Sequence, residues 1–217
     1  MNNDAVKQIG MIIKKMMRTA MERNAPVFNV KKIVLNDPYR ALVFALLSSR
    51  TKDSTTINAC EGLFRIAPTV EKLIKTDNKM IERMIYGVGF YRTKTRRLKE
   101  MAGLLLKKYD GKVPNTLEEL INLPGVGRKT ANIVLATVFN KDVIGVDVHV
   151  HRISNRFGIV KTKKPEETEK QLMKIIEKKY WKKLNIAMVS YGQTLCFPRN
   201  PECNKCPVKK YCMQIGL

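Results

Sequence analysis

An all-α fold is what this sequence predicts. Apolar residues return every three or four positions along nearly the whole chain, alternating strand patterns are scarce, and helix-capping residues stand where apolar stripes begin. With 217 residues, 44% of them hydrophobic, the chain can bury one large core or two small ones and is not a disordered polymer.

The first stripe, Ile9, Ile13, Met16 and Ala20, is interleaved with Lys14, Lys15 and Arg18. That pattern reads as an amphipathic helix and lacks the continuous apolar centre of a signal peptide, so a cytoplasmic protein is expected. The longest apolar run, Ala41 to Leu47, is seven residues, against the roughly 20 a bilayer span requires; no membrane partner is expected. Helices are expected over 39–49, 53–66, 70–75, 78–86 and 93–109, the last closing at Asp110-Gly111. Cys60 reads as a small buried apolar residue. Thr116 and Glu119 form a capping box before Leu117, Leu120 and Ile121. A turn at Pro124 to Gly127 follows, then a helix burying Ala131, Val134, Leu135 and Val138, which makes a helix-hairpin-helix over about 116–139. Val143 to Val150 favours strand by composition but has no partner and reads as an extended link. Pro165 opens a helix with Leu172, Ile175 and Ile176 inside, and another runs from Trp181 to Leu195.

Lysine and arginine number 41 against 19 acidic residues, a net charge of +22. The excess recurs at Arg92, Lys94, Arg96 and Arg97, at Lys107 and Lys108, at Lys161, Lys163 and Lys164, and at Lys209 and Lys210. A solvated lysine-rich surface accounts for part of it; the breadth of it points to a polyanion. The turn Leu123-Pro-Gly-Val-Gly-Arg-Lys129 adds a second reason. Glycines at 125 and 127 permit backbone angles other residues resist, so successive N–H groups in front of a helix N-terminus can cradle a phosphate. An ordinary linker would share the pattern. Lys129 lies in the first helical turn, and Asp147 follows eighteen residues later. Asp147 can cap a helix beginning near His149. His149 and His151, read as two apart in an extended stretch, suit structural hydrogen bonds better than metal.

Four of the five cysteines fall in the last 22 residues, at 196, 203, 206 and 212. Disulfides do not suit a reducing compartment. Four thiolates suit a structural zinc or a cubane iron–sulfur cluster, and spacing alone leaves both open.

Together, the hairpin Leu123 to Lys129, the segment Val146-Asp147-Val148-His149, the four-cysteine tail, Leu46-Leu47-Ser48-Ser49 with Asp53, and Gly89-Phe90-Tyr91 resemble endonuclease III, in the helix-hairpin-helix superfamily of DNA glycosylases. The likeness runs from about residue 28 to 212. It implies two helical lobes with a DNA cleft between them: a six-helix barrel over 28–140, and a lobe of 1–27 plus 141–217 holding one 4Fe–4S cluster on Cys196, Cys203, Cys206 and Cys212 in a loop spanning 196–212. It further implies an enzyme that removes oxidised pyrimidines of the thymine glycol type from double-stranded DNA and nicks the abasic site by β-elimination; a monomer is the simplest expectation. Lys129 would be the nucleophile that forms the Schiff base, and Asp147 its charge- and proton-handling partner. Gly125, Val126, Gly127 and Arg128 would meet the lesion-strand backbone, with a monovalent cation bridging at the hairpin. Phe90 would be an apolar wedge, and Lys205 and Lys209 part of a basic loop on DNA. Arg50 departs from the Gln that many relatives carry there, which bears on how the opposite base is read. A mismatch glycosylase of the same superfamily and a non-catalytic, metal-stabilised DNA-binding module are the rival readings; Lys129 argues against both.

Overall fold

A computed structural model describes all 217 residues, apart from the side chain of Lys31. Among the described residues there is no strand. In chain order the helices are α1 (Asn3–Lys7), α2 (Ile9–Glu22), α3 (Val27–Val34), α4 (Pro38–Leu47), α5 (Asp53–Ile66), α6 (Val70–Lys75), α7 (Asn78–Met84), α8 (Tyr91–Tyr109), α9 (Leu117–Ile121), α10 (Arg128–Thr137), α11 (Val148–Arg156), α12 (Pro165–Ile175) and α13 (Trp181–Thr194). The chain divides into two compact units, Asn29–Lys141 and Met1–Phe28 with Asp142–Leu217.

The middle unit is built on α4. Every residue from Ala41 to Leu47 is buried, which explains why the run has no polar position: a helix covered on all sides has no face to give to water. Pro38 opens it, and the Asp37 carboxylate accepts the Arg40 N–H at 3.1 Å. It packs against α5, α8 and α10. On α8 the buried positions Lys94, Leu98, Met101 and Leu105 are spaced 4, 3 and 4, a single helical face. Asp110 and Gly111 then turn left-handed and end it, with the Gly111 N–H donating to the Leu105 carbonyl at 3.0 Å. Lys99 on the same helix donates to the carbonyls of Ile74 and Thr76 at 2.5 and 2.6 Å, satisfying the end of α6. Cys60 is fully buried, as expected, and burial pushes its thiol up.

In the other unit α2 lies along α13, and α11 packs on α13 as well. Ile9, Ile12, Ile13 and Met16 meet Val150, Ile153, Phe157, Leu184, Met188 and Tyr191 in one core. Helix approach is close at Gly192, where a Cβ would collide with the His149 ring. The Asn2 side chain ties the N-terminus down. Its amide donates to the carbonyls of Phe157 and Tyr211, both at 2.8 Å, and its oxygen accepts the Ala5 N–H at 3.1 Å.

Two expectations change. The extended link ends at Asp147, and Val148 to Val150 already belong to α11, because the Asp147 carboxylate satisfies the helix's orphan N–H groups. His149 and His151 are therefore helical. Substituting Leu42, fully buried on α4, by Ala is expected to lower unfolding free energy by about 2–5 kcal/mol, measured by denaturant titration.

Candidate functional site

The hairpin is built from both sides of its turn. Thr116 caps α9, accepting the Glu119 N–H at 3.3 Å, while its hydroxyl donates to the Glu119 carboxylate at 2.7 Å. Leu120 and Leu123 are buried below. Gly125 has φ +83, and a Cβ there would stand 2.8 Å from Cδ of Arg97 and 3.3 Å from Cδ1 of Leu46. Its glycine is required twice over, by conformation and by space. Gly127 is different. Its φ is −92, and a Cβ would meet nothing within 4 Å. Its lack of a side chain leaves the N-terminus of α10 open, a role in access and not in backbone angle. Gly127, the N-cap of α10, has no side chain with which to cap it, and Lys129 in the first turn is exposed.

Val126 turns inward. It is 6% exposed and its N–H donates to the Leu123 carbonyl at 3.0 Å, so it anchors the turn instead of offering a donor to a ligand. Arg128 is exposed in the first turn, next to Lys129.

A second cluster joins the end of α4 to the start of α8. Arg50 and Phe90 both adopt left-handed backbone, with φ 55 and 58, and the Arg50 guanidinium lies 5.7 Å from the Phe90 ring centre. Phe90 is 63% exposed, and Tyr86, 72% exposed, lies nearby in the chain. Beneath them Lys94 is 6% exposed, so it does not belong to the surface charge among which its sequence neighbours place it. Its ammonium donates to the Leu47 carbonyl at 2.8 Å, the Ser49 carbonyl at 2.5 Å and the Thr51 hydroxyl at 3.2 Å. Burial brings its pKa down to about 8. Helical spacing with Leu98, Met101 and Leu105 is the signal that could have placed it inside.

Asp147 is the N-cap of α11. One carboxylate oxygen accepts the N–H groups of His149 and Val150, both at 2.9 Å. His151 pairs through Nδ1 with the Thr168 hydroxyl at 2.7 Å, and His149 Nδ1 lies 3.2 Å from the Arg152 guanidinium. Two residues apart on a helix, the histidines point to different sides and do not form a joint metal site.

The four C-terminal cysteines line one pocket with Arg156, Tyr191 and Lys209. None of the four is in a disulfide. Among the described residues no three Cys, His, Asp or Glu side chains converge tightly enough for a single metal ion. The sulfurs face hydrogen-bond donors: Tyr191 O–H on Cys206 at 3.0 Å, Arg156 on Cys196 at 3.5 Å and the Gln214 N–H on Cys212 at 3.4 Å. Burial pushes the Cys206 thiol up and the Cys212 thiol to about 11, so thiolates there need a cationic partner. Arg156, itself buried, also donates to the carbonyls of Phe197 and Pro198 at 2.6 and 2.7 Å and so shapes the loop. Nothing in the sequence singles out Arg156 or Tyr191. Outside the pocket, Lys205 pairs with Glu202 at 3.2 Å, which also accepts from Nη1 and Nη2 of Arg23 at 3.2 and 3.0 Å. Lys209 and Lys210 remain exposed.

An all-helical chain with this hairpin and cysteine loop defines a class, and residues 43–178 match the HhH-GPD superfamily of base excision DNA repair proteins. Endonuclease III of Thermotoga maritima is 47% identical over 176 residues, covering 81% of this chain and 83% of that protein. Endonuclease III-like protein 1 of Mus musculus is 40% identical over 177 residues, and the chain spans 59% of its length. The structure of a trapped endonuclease III–DNA covalent intermediate, an estranged-adenine complex, superposes with a TM-score of 0.78 at 32% identity, covering 90% of this chain and 96% of that one. The chain belongs to the endonuclease III family, base excision repair DNA glycosylases with AP lyase activity.

Gly125→Ala is expected to lower unfolding free energy by about 1–3 kcal/mol, from left-handed strain and the shift forced on Arg97. Gly127→Ala should stay within about 0.5 kcal/mol of wild type. Paired denaturation curves check the contrast.

Proposed function

We propose that this protein removes oxidised pyrimidines of the thymine glycol type from duplex DNA and nicks the strand through a Schiff base on Lys129. The observation that carries the reading is the exposed amine in the first turn of a helix whose N-cap, Gly127, leaves open space where a side chain would stand. A base inside a duplex is out of reach, so the nucleotide must leave the stack. The N–H groups at the start of α10, with Gly125 and Gly127, take a backbone phosphate of the lesion strand. The Lys129 nitrogen then attacks C1′ with its lone pair, and the damaged base departs with the electrons of the glycosidic bond and takes up a proton. The amine loses its proton, the sugar ring opens to the iminium, and loss of a C2′ proton expels the 3′ phosphate. Asp147 stabilises the positive charge on the sugar and handles these protons. Its cap uses one oxygen, so the other is left for that work. A monovalent cation bridging hairpin and phosphate belongs to the same reading.

The four cysteines suit a 4Fe–4S cluster. Thiols spread round one pocket and met by N–H and O–H donors fit a group several ångströms across better than one zinc ion. Such a cluster, when bound, supplies a structural cross-link in which the thiolates are held ionised. Lys209 and Lys210, carried on that loop, would lie on the phosphate backbone of double-stranded DNA, and the protein would act as a monomer. The barrel and cluster lobes of the family, 28–140 and 1–27 with 141–217, belong to this proposal.

Borohydride is expected to trap the protein covalently on an abasic duplex. Lys129→Ala should abolish trapping with duplex affinity changed less than about threefold, and equal trapping by the variant would sink the assignment. Asp147→Asn keeps a good N-cap, so its melting temperature should hold while turnover falls at least about 100-fold; unchanged turnover would leave Asp147 with its cap alone. Purified anaerobically, the protein should be brown with about four irons per chain; stoichiometric zinc would replace the cluster reading.

A further inference from the structure

Lys94 is a buried cation without a carboxylate partner. The three hydrogens of its ammonium meet three acceptors, the Leu47 carbonyl at the end of α4, the Ser49 carbonyl and the Thr51 hydroxyl. No donor is left over, and the carbonyl end of a helix favours a positive charge. The Thr51 oxygen is shared: it also accepts the Gly89 N–H at 3.1 Å. One ammonium and one hydroxyl therefore fasten the loop 48–51 to the turn 87–90. Their approach is close enough that a Cβ on Gly89 would lie 2.9 Å from the Arg50 carbonyl.

Arg50 and Phe90 stand on the two segments so fastened. Each is a non-glycine residue held left-handed, a strained backbone that persists only where surrounding contacts over-determine it. A cation and a 63% exposed aromatic ring 5.7 Å apart form a surface that can stack on a base and contact its polar edge. Without the fastening, both residues are free to relax to ordinary backbone, and the pair disperses.

We propose that Lys94 is a positioning residue whose ammonium knots the end of α4, the loop 48–51 and the turn 87–90 into one platform, fixing Arg50 and Phe90 as the pair that discriminates the base opposite the lesion. This rests on the reading that Arg50 and Phe90 meet DNA, and it assigns Lys94 no contact with DNA.

The test compares affinities for duplexes carrying a tetrahydrofuran abasic analogue opposite each of the four bases, a measurement that makes no use of the Lys129 amine. Wild type should show an unequal series. Lys94→Met, and separately Thr51→Val, should compress the ratio between best and worst opposite base at least threefold, while borohydride trapping on single-stranded abasic DNA stays within twofold of wild type. Thr51→Val serves if Lys94→Met fails to fold. An unchanged ratio in the folded variants, or a ratio lost only in step with single-strand trapping and melting temperature, overturns the proposal. An Arg50→Ala, Phe90→Ala double variant that keeps the wild-type ratio would instead fell the reading of that pair; failure of Lys129 would show only in trapping.

Discussion

Complete burial of α4 is the constraint on which the middle unit depends. Seven consecutive apolar residues, Ala41 to Leu47, leave that helix no side to turn to water, so α5, α8 and α10 must each bring it an apolar face. Its last turn then governs the hairpin turn and the loop after α4. Leu46 sits against Gly125 and fixes where the hairpin turn can lie. Leu47 gives its carbonyl to Lys94, which draws in the loop carrying Arg50. One helix end thus serves both the hairpin turn and the loop of Arg50, the two pieces of the proposed binding surface.

Local chemistry in the sequence was enough for most of the helices. Thr116 with Glu119, Pro165, and the Asp110-Gly111 stop are start and stop signals whose effect is felt within one turn, and the helices begin and end beside them. Features that depend on partners distant in the chain were harder to read. The segment around Asp147 looked extended because Val143, Val146, Val148 and Val150 favour strand, yet a single carboxylate accepting two N–H groups starts a helix at Val148. Lys94 looked like one more surface cation because its neighbours Arg92 and Arg96 are charged; only its register with Leu98 and Met101 tells them apart.

The candidate site was legible to a similar degree. Gly125 carries the backbone demand the motif suggests, whereas Gly127 does not. The burial of the Val126 side chain has no signal in the motif. The cysteine spacing announces a shared ligand without saying what surrounds it. Arg156, reaching 41 and 42 residues ahead to the Phe197 and Pro198 carbonyls, and Tyr191 on Cys206 are long-range contacts with no short motif behind them.

The interleaving of the two units sets an order on the birth of the molecule. Residues 29–141 form one continuous stretch, so that unit has all its parts as soon as it leaves the ribosome. The first 28 residues do not. Their helix α2 lies on α13, and the Asn2 amide waits for the Tyr211 carbonyl. At about 5–20 residues per second, that wait is on the order of 10–40 s. Throughout it the apolar stripe of Ile9, Ile12, Ile13 and Met16 lacks Leu184, Met188 and Tyr191, the side chains that cover it in the finished fold.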